Sequence, residues 1–232
     1  AMAAESKIIR AVVFDMDGLM IDSEPVWHAT EQAVFGALGV HLDLAACLET
    51  TGLRVDEVVR HHWGRRPWKG GETLETVQAQ LVDSMVTALR RDPKPMPGLY
   101  EALEALEARG LPLAVASSSP MPLIEAALDG LGVRARFQHV CSATAETHGK
   151  PHPAVYLRAA ALLGVPAHEC LALEDSLNGA ISAKGARMVL AAIPDRRHVP
   201  QDKLVKFAFA DVVLESLADL ADVDTWRMLG EA

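Results

Sequence analysis

The chain has 232 residues, half of them hydrophobic, and carries a formal net charge of -9 at pH 7. That much apolar material can bury a substantial core, either as one domain with an insertion or as two modest domains. The acidic balance argues against a nucleic-acid or anionic-membrane binder, and no apolar run approaches the ~20 residues that cross a bilayer.

Small-molecule chemistry is therefore the starting expectation. Cys47, Cys141 and Cys170 are scattered, odd in number and without CxxC spacing, which suits free thiols in a reducing cytoplasm. Ala1 to Lys7 lacks the apolar core of a signal peptide, consistent with a cytoplasmic location. A monomer is expected.

The first predicted strand is Ile8 to Phe14, IIRAVVF, short and rich in β-branched residues. It runs directly into Asp15-Met16-Asp17-Gly18, two carboxylates two residues apart followed by a glycine. Burying such a pair is costly unless something positive meets it. From Ser23 to Asp92 the pattern is helical, over 26–38, 44–48, 55–63 and 73–90, which predicts a small helical domain (23–92) over the site. Asp92 to Gly98, DPKPMPG, makes a stiff return, so 1–22 and 93–232 together form the other domain.

Within the helical stretch, Gly52-Leu53-Arg54 reads as an ordinary helix start with a solvated arginine or, by its resemblance to a substrate-specificity loop, as a loop from which Arg54 reaches a ligand. Residues 60–69, RHHWGRRPWK, form a basic aromatic cluster. Adjacent His61 and His62 cannot share a helix face, so this cluster reads as a turn with packed tryptophans.

After residue 98, helices and strands alternate. Helices are predicted over 99–108, 120–131, 153–163 and 176–186, and strands over 111–117, 139–143, 170–175, 188–193 and, weakly, 210–216. The fold class is α/β: a Rossmann-like, doubly wound parallel sheet with an inserted helical cap. Its functional loops lie at the carboxyl ends of the strands.

Four stretches then fall on one sheet edge: Asp15-x-Asp17-Gly18, Ser117-Ser118-Ser119, Gly149-Lys150-Pro151 and Glu174-Asp175-Ser176. Taken singly, the serines would more often cap a helix, the acidic pair would suit a helix start, and Lys150 would be a surface lysine. Together, four carboxylates repel one another unless a cation joins Lys150. Oxygen-only ligands point to Mg²⁺ rather than zinc.

This set resembles the haloacid dehalogenase-like hydrolase superfamily over nearly the whole chain. DMDGLMIDSEPVW, ALEDSLNG and GKPHP are closer still to its sugar-phosphate phosphatases with a helical cap. This branch also contains β-phosphoglucomutase and phosphoglycolate phosphatase. GLRVDEVV followed by RRPWKG most resembles the bacterial hexitol and 2-deoxyglucose 6-phosphate phosphatases.

The resemblance implies a Mg²⁺-dependent phosphatase acting on small phosphorylated sugars or sugar alcohols through an aspartyl-phosphate. Asp15 would be the nucleophile and Asp17 the acid and base. Ser117, Ser118 and Lys150 would hold phosphoryl oxygens. Asp15, Asp175, Glu174 and the Asp17 carbonyl would surround the metal, with Glu174 acting through water or by orienting Lys150. Asn178 and Gly179 would shape the loop beneath.

A mutase is the alternative, but the mutases carry a histidine where this chain has Trp27. Neighbouring His28 would face about 100° away on a helix. A phosphoglycolate phosphatase and a catalytically silent binding module are the further alternatives.

Overall fold

The computed structural model describes residues 8–230. The reading of Ala1 to Lys7 as lacking a signal core therefore lies outside the described residues. Six parallel strands form one sheet in the order β3-β2-β1-β4-β5-β6. They are β1 (Ala11–Phe14), β2 (Leu113–Ser117), β3 (His139–Ser142), β4 (Cys170–Glu174), β5 (Val189–Ala192) and β6 (Val212–Val213). The chain winds outward from β1 to β3, then returns to the other side of β1 with β4. The crevice between the carboxyl ends of β1 and β4 is thus the switch point where ligands enter such sheets.

Strand alternation sets the two faces. Val12 and Phe14 join a large core with Leu103, Leu106, Leu123 and Leu128, on the side covered by α5 (Leu99–Ala108) and α6 (Met121–Gly130). Ala11, Val13, Ala114, Ala116 and Ala172 face the other way, against α7 (Ala154–Leu163) and α8 (Leu177–Gly185). Small residues on that face let the two helices lie close to the sheet.

Between β1 and α5 stand four helices: α1 (Glu24–Ala37), α2 (Leu44–Leu48), α3 (Val55–Arg65) and α4 (Leu74–Arg91). Phe35, Val55, Val59, Trp68, Val77 and Leu81 form their own core. The basic aromatic cluster is a turn only after residue 65, since 60–65 end α3, and of its tryptophans Trp68 is buried while Trp63 stays exposed. The Trp63 and Trp68 rings meet at 4.5 Å, His62 is buried, and His61 turns outward to Glu49.

The two connections to the sheet run side by side. The Asp22 N–H donates to the Lys94 carbonyl at 2.8 Å and the Met96 N–H to the Met20 carbonyl at 2.9 Å.

Two details differ from the sequence reading. The weak strand expected over 210–216 pairs only through Val212 and Val213 at the sheet edge. Among the described residues a further helix, α9 (Val223–Met228), was not anticipated: Asp222 caps it, and it buries Trp226 beneath the Arg109 guanidinium. All three cysteines are buried and free.

Candidate active site

Each strand that reaches the crevice ends in a polar group. Asp15 follows β1, Ser117 closes β2, and Glu174 and Asp175 mark the end of β4. The peptide of Asp15 is fixed by its N–H donating to the Leu173 carbonyl at 3.0 Å. Gly18 turns the chain with a φ of 77°, and a Cβ there would lie 2.4 Å from an Asp175 carboxylate oxygen. That close approach and left-handed backbone require glycine.

Lys150 is almost fully buried. Its Nζ donates to Asp15 Oδ1 at 2.7 Å and to Glu174 Oε1 at 2.6 Å. Glu174 is saturated. Oε1 also accepts from the Tyr156 hydroxyl at 2.8 Å, and Oε2 accepts from the backbone and hydroxyl of Ser176, each at 3.1 Å. A carboxylate with all its positions taken is a rigid orienter for Lys150. Burial lowers the lysine's basicity, but Asp15 and Glu174 more than offset this and hold it charged.

One lysine cannot neutralise three buried carboxylates. Desolvation, then the Glu174 charge, pushes the Asp15 carboxyl up to about 7. Asp175 is driven well above the ordinary carboxylate range by burial and then by Asp15 and Glu174. Asp175 Oδ1 is buried with no hydrogen-bond partner.

One oxygen each from Asp15, Glu174 and Asp175 lie within 4.8 Å of one another. An orphaned buried oxygen in an excess of negative charge fits a hard divalent cation. With Glu174 occupied by donors, Asp15 and Asp175 are the side chains free to bind it.

Asp17 is held differently. Oδ1 accepts from the Ser23 hydroxyl at 2.7 Å and the Trp27 indole N–H at 3.0 Å, and Oδ2 accepts from the Ser119 hydroxyl at 2.7 Å. These donors come from the first connection, α1 and the β2 loop. Ser119 belongs to the serine stretch read from the sequence, although as a donor to Asp17 rather than to a phosphoryl group; Ser23, Trp27 and Tyr156 were not anticipated as site residues. Trp27 carried a signal, since it stands where a mutase has histidine; a tyrosine buried on an apolar helix also needs a partner for its hydroxyl.

Ser117 Oγ accepts from the Ser119 N–H at 3.0 Å, while Ser118 reaches across to donate to the Gly52 carbonyl at 2.9 Å. Ser118, Ser119, Asp15, Asp17, Lys150 and Asp175 line one cleft with the helical insertion above it. Arg54 is not brought there. Its guanidinium donates to the Ala143 and Glu146 carbonyls at 3.3 and 2.9 Å and pairs with Asp56, tying the insertion to the sheet domain.

His152 caps the start of α7, accepting from the Ala154 N–H at 3.3 Å. Asn178 Nδ2 donates to the Thr51 carbonyl at 3.4 Å.

A family model described as haloacid dehalogenase-like hydrolase matches residues 9–187. The chain belongs to this hydrolase family. Hexitol phosphatase B of Escherichia coli strain K12 is 40% identical over 220 residues, spanning 93% of this hydrolase and 96% of that protein. CbbY from Rhodobacter sphaeroides, crystallised with phosphate, superposes with a TM-score of 0.82 at 27% identity over 95% of this chain and 100% of its own. β-Phosphoglucomutase from Clostridium difficile shares the fold, with a TM-score of 0.82 at 20% identity over 96% of this chain and 97% of its own.

Proposed function

We propose that this hydrolase cleaves phosphate monoesters of small sugars or sugar alcohols, with Asp15 as nucleophile. The observation that carries this reading is the buried Asp15–Lys150–Glu174 triad beside the orphaned Asp175 oxygen at the switch point. It is an anionic site that needs a cation, in a family of hydrolases. The similarity to a hexitol phosphatase favours six-carbon polyol or hexose 6-phosphates.

In this mechanism an Asp15 oxygen forms a bond to phosphorus as the bond from phosphorus to the sugar oxygen breaks. Asp17 protonates the departing oxygen, then takes a proton from the water that attacks the aspartyl-phosphate and frees inorganic phosphate. Lys150, oriented by Glu174 and Tyr156, offers its charge to the phosphoryl oxygens; Ser118 and Ser119 line the same cleft, whereas Ser117 is fully buried and does not. Mg²⁺ at Asp15, Asp175 and the Asp17 carbonyl would neutralise charge on the phosphoryl group.

The segment 23–92 serves as a cap that excludes water, hinged where the two connections pair. Trp27 weighs against mutase activity, because an indole N–H donates a hydrogen bond but shuttles no proton. The protein would act as a soluble cytoplasmic monomer.

The test is phosphate release from sorbitol 6-phosphate, 2-deoxyglucose 6-phosphate, phosphoglycolate and β-glucose 1-phosphate. Fastest release from the six-carbon 6-phosphates supports the reading. Release from phosphoglycolate alone removes the sugar substrate, and conversion of the 1-phosphate to glucose 6-phosphate without release makes it a mutase.

A further inference from the structure

The helical insertion contributes its own wall to the cleft. Glu24, Trp27, His28 and Glu31 stand at i, i+3, i+4 and i+7 on α1, so they share one face, and all four line the cleft. Trp27 marks the reacting end because its indole bonds to Asp17. At 1.5 Å per residue, Glu31 lies roughly 6 Å farther along the axis, the reach of several carbons of a substrate chain.

That far end holds two buried polar atoms that lack a hydrogen-bond partner, although Glu31 also lies against the Cys47 thiol. Glu31 is 5% exposed, and its Oε2 has no hydrogen-bond partner; His28 Nε2 is also buried and unsatisfied. His28 lies 3.3 Å from Glu24 without hydrogen-bond geometry, and His62 stands 3.9 Å from Glu31, beyond hydrogen-bond range. Buried polar atoms left this way are costly unless a ligand or water pairs with them. Among the described residues, Lys150 is the one lysine or arginine lining the cleft, and it sits at the opposite end with Asp15.

We propose that Glu31 and His28 are specificity-determining residues that read the hydroxyl groups of the substrate beyond its phosphate. The end they form takes a neutral polyhydroxy tail and rejects a second anionic group. This rests on the reading of the cleft as a sugar-phosphate phosphatase site. Burial supports it by raising the Glu31 carboxyl to about 7, so that it both donates to and accepts from hydroxyls near neutral pH. A second phosphate placed there would meet Glu24 and Glu31 and no lysine or arginine.

The experiment compares kcat/KM for sorbitol 6-phosphate, glycerol 3-phosphate and sorbitol 1,6-bisphosphate in the wild type and in Glu31→Leu, Glu31→Gln and His28→Ala. Three-carbon glycerol 3-phosphate is too short to reach Glu31. The wild type should prefer the six-carbon monophosphate to the bisphosphate by more than about tenfold. Glu31→Leu and His28→Ala should each lower the ratio of six-carbon to three-carbon kcat/KM by about tenfold, chiefly through KM.

Glu31→Gln keeps the shape and both hydrogen-bonding roles, so it should restore most of that ratio. If Glu31→Leu does not fold, the His28→Ala ratio decides. An unchanged ratio, or a bisphosphate preferred over the monophosphate, overturns this inference alone. A wild type that releases phosphate from none of the three overturns the phosphatase reading with it.

Discussion

At the scale of single residues, the site is governed by burial acting on charge. Glu31 shows the consequence for stability. Desolvation raises its pKa from 4.5 to about 7 in the folded protein, so the native state binds a proton that the unfolded chain has already released. Its contribution is complete below about pH 4.5 and is lost as pH rises through about 7. Glu31→Gln removes this dependence, so relative to wild type the variant should gain about 3 kcal/mol between pH 4 and pH 8.

Urea unfolding at several pH values measures the difference; a gap that does not vary with pH would refute the assignment. The acid pair at residues 15 and 17 was legible because carboxylates at a strand end are chemically conspicuous. Glu31 was not, because a glutamate in a helix ordinarily faces water, and only the packed cap shows that it points inward.

At the scale of elements, the end of β4 and the start of α8 are built against each other. The Glu174 carboxylate lies directly over Gly179, where an added Cβ would come within 1.6 Å of Oε1. Four donors pin that carboxylate, so it has nowhere to move. Gly179→Ala should therefore cost about 1–3 kcal/mol in thermal or denaturant unfolding and displace Lys150 from Asp15, lowering kcat. A variant with wild-type stability and rate would show that the contact is looser than described.

The strand and helix order was readable from periodicity, with helix 99–108 falling where it was expected. Strand lengths were less so, since hydrogen-bond partners end a strand and hydropathy does not. In β6, Val212 and Val213 alone pair with β5 although the apolar run is longer.

At the scale of the whole molecule, the insertion is clasped onto the sheet domain. Arg54 bonds carbonyls 143 and 146, Ser118 bonds Gly52, and the cavity beneath is about 50 Å³, room for only a few waters. A sugar phosphate needs more room than this, so in the proposed cycle the insertion swings aside to admit it. Arg54→Ala removes charge-assisted bonds and should speed amide hydrogen exchange around 50–54 and 143–146, while exchange in β1 and β4 stays slow. Equal exchange in both proteins would argue against the clasp.

The sequence showed that an arginine follows Gly52-Leu53. It did not show that this arginine ties the helical segment to the loop after β3, because its partners are backbone carbonyls about ninety residues away.

The most direct test of the central claim is phosphate release from sorbitol 6-phosphate by the wild type and by Asp15→Asn, each with Mg²⁺ and with EDTA. The wild type should turn over only with Mg²⁺, and the Asn variant should fall by at least about a thousandfold because the attacking oxygen is gone. Asp15→Asn turning over at close to the wild-type rate, or full wild-type activity in EDTA, would contradict the account.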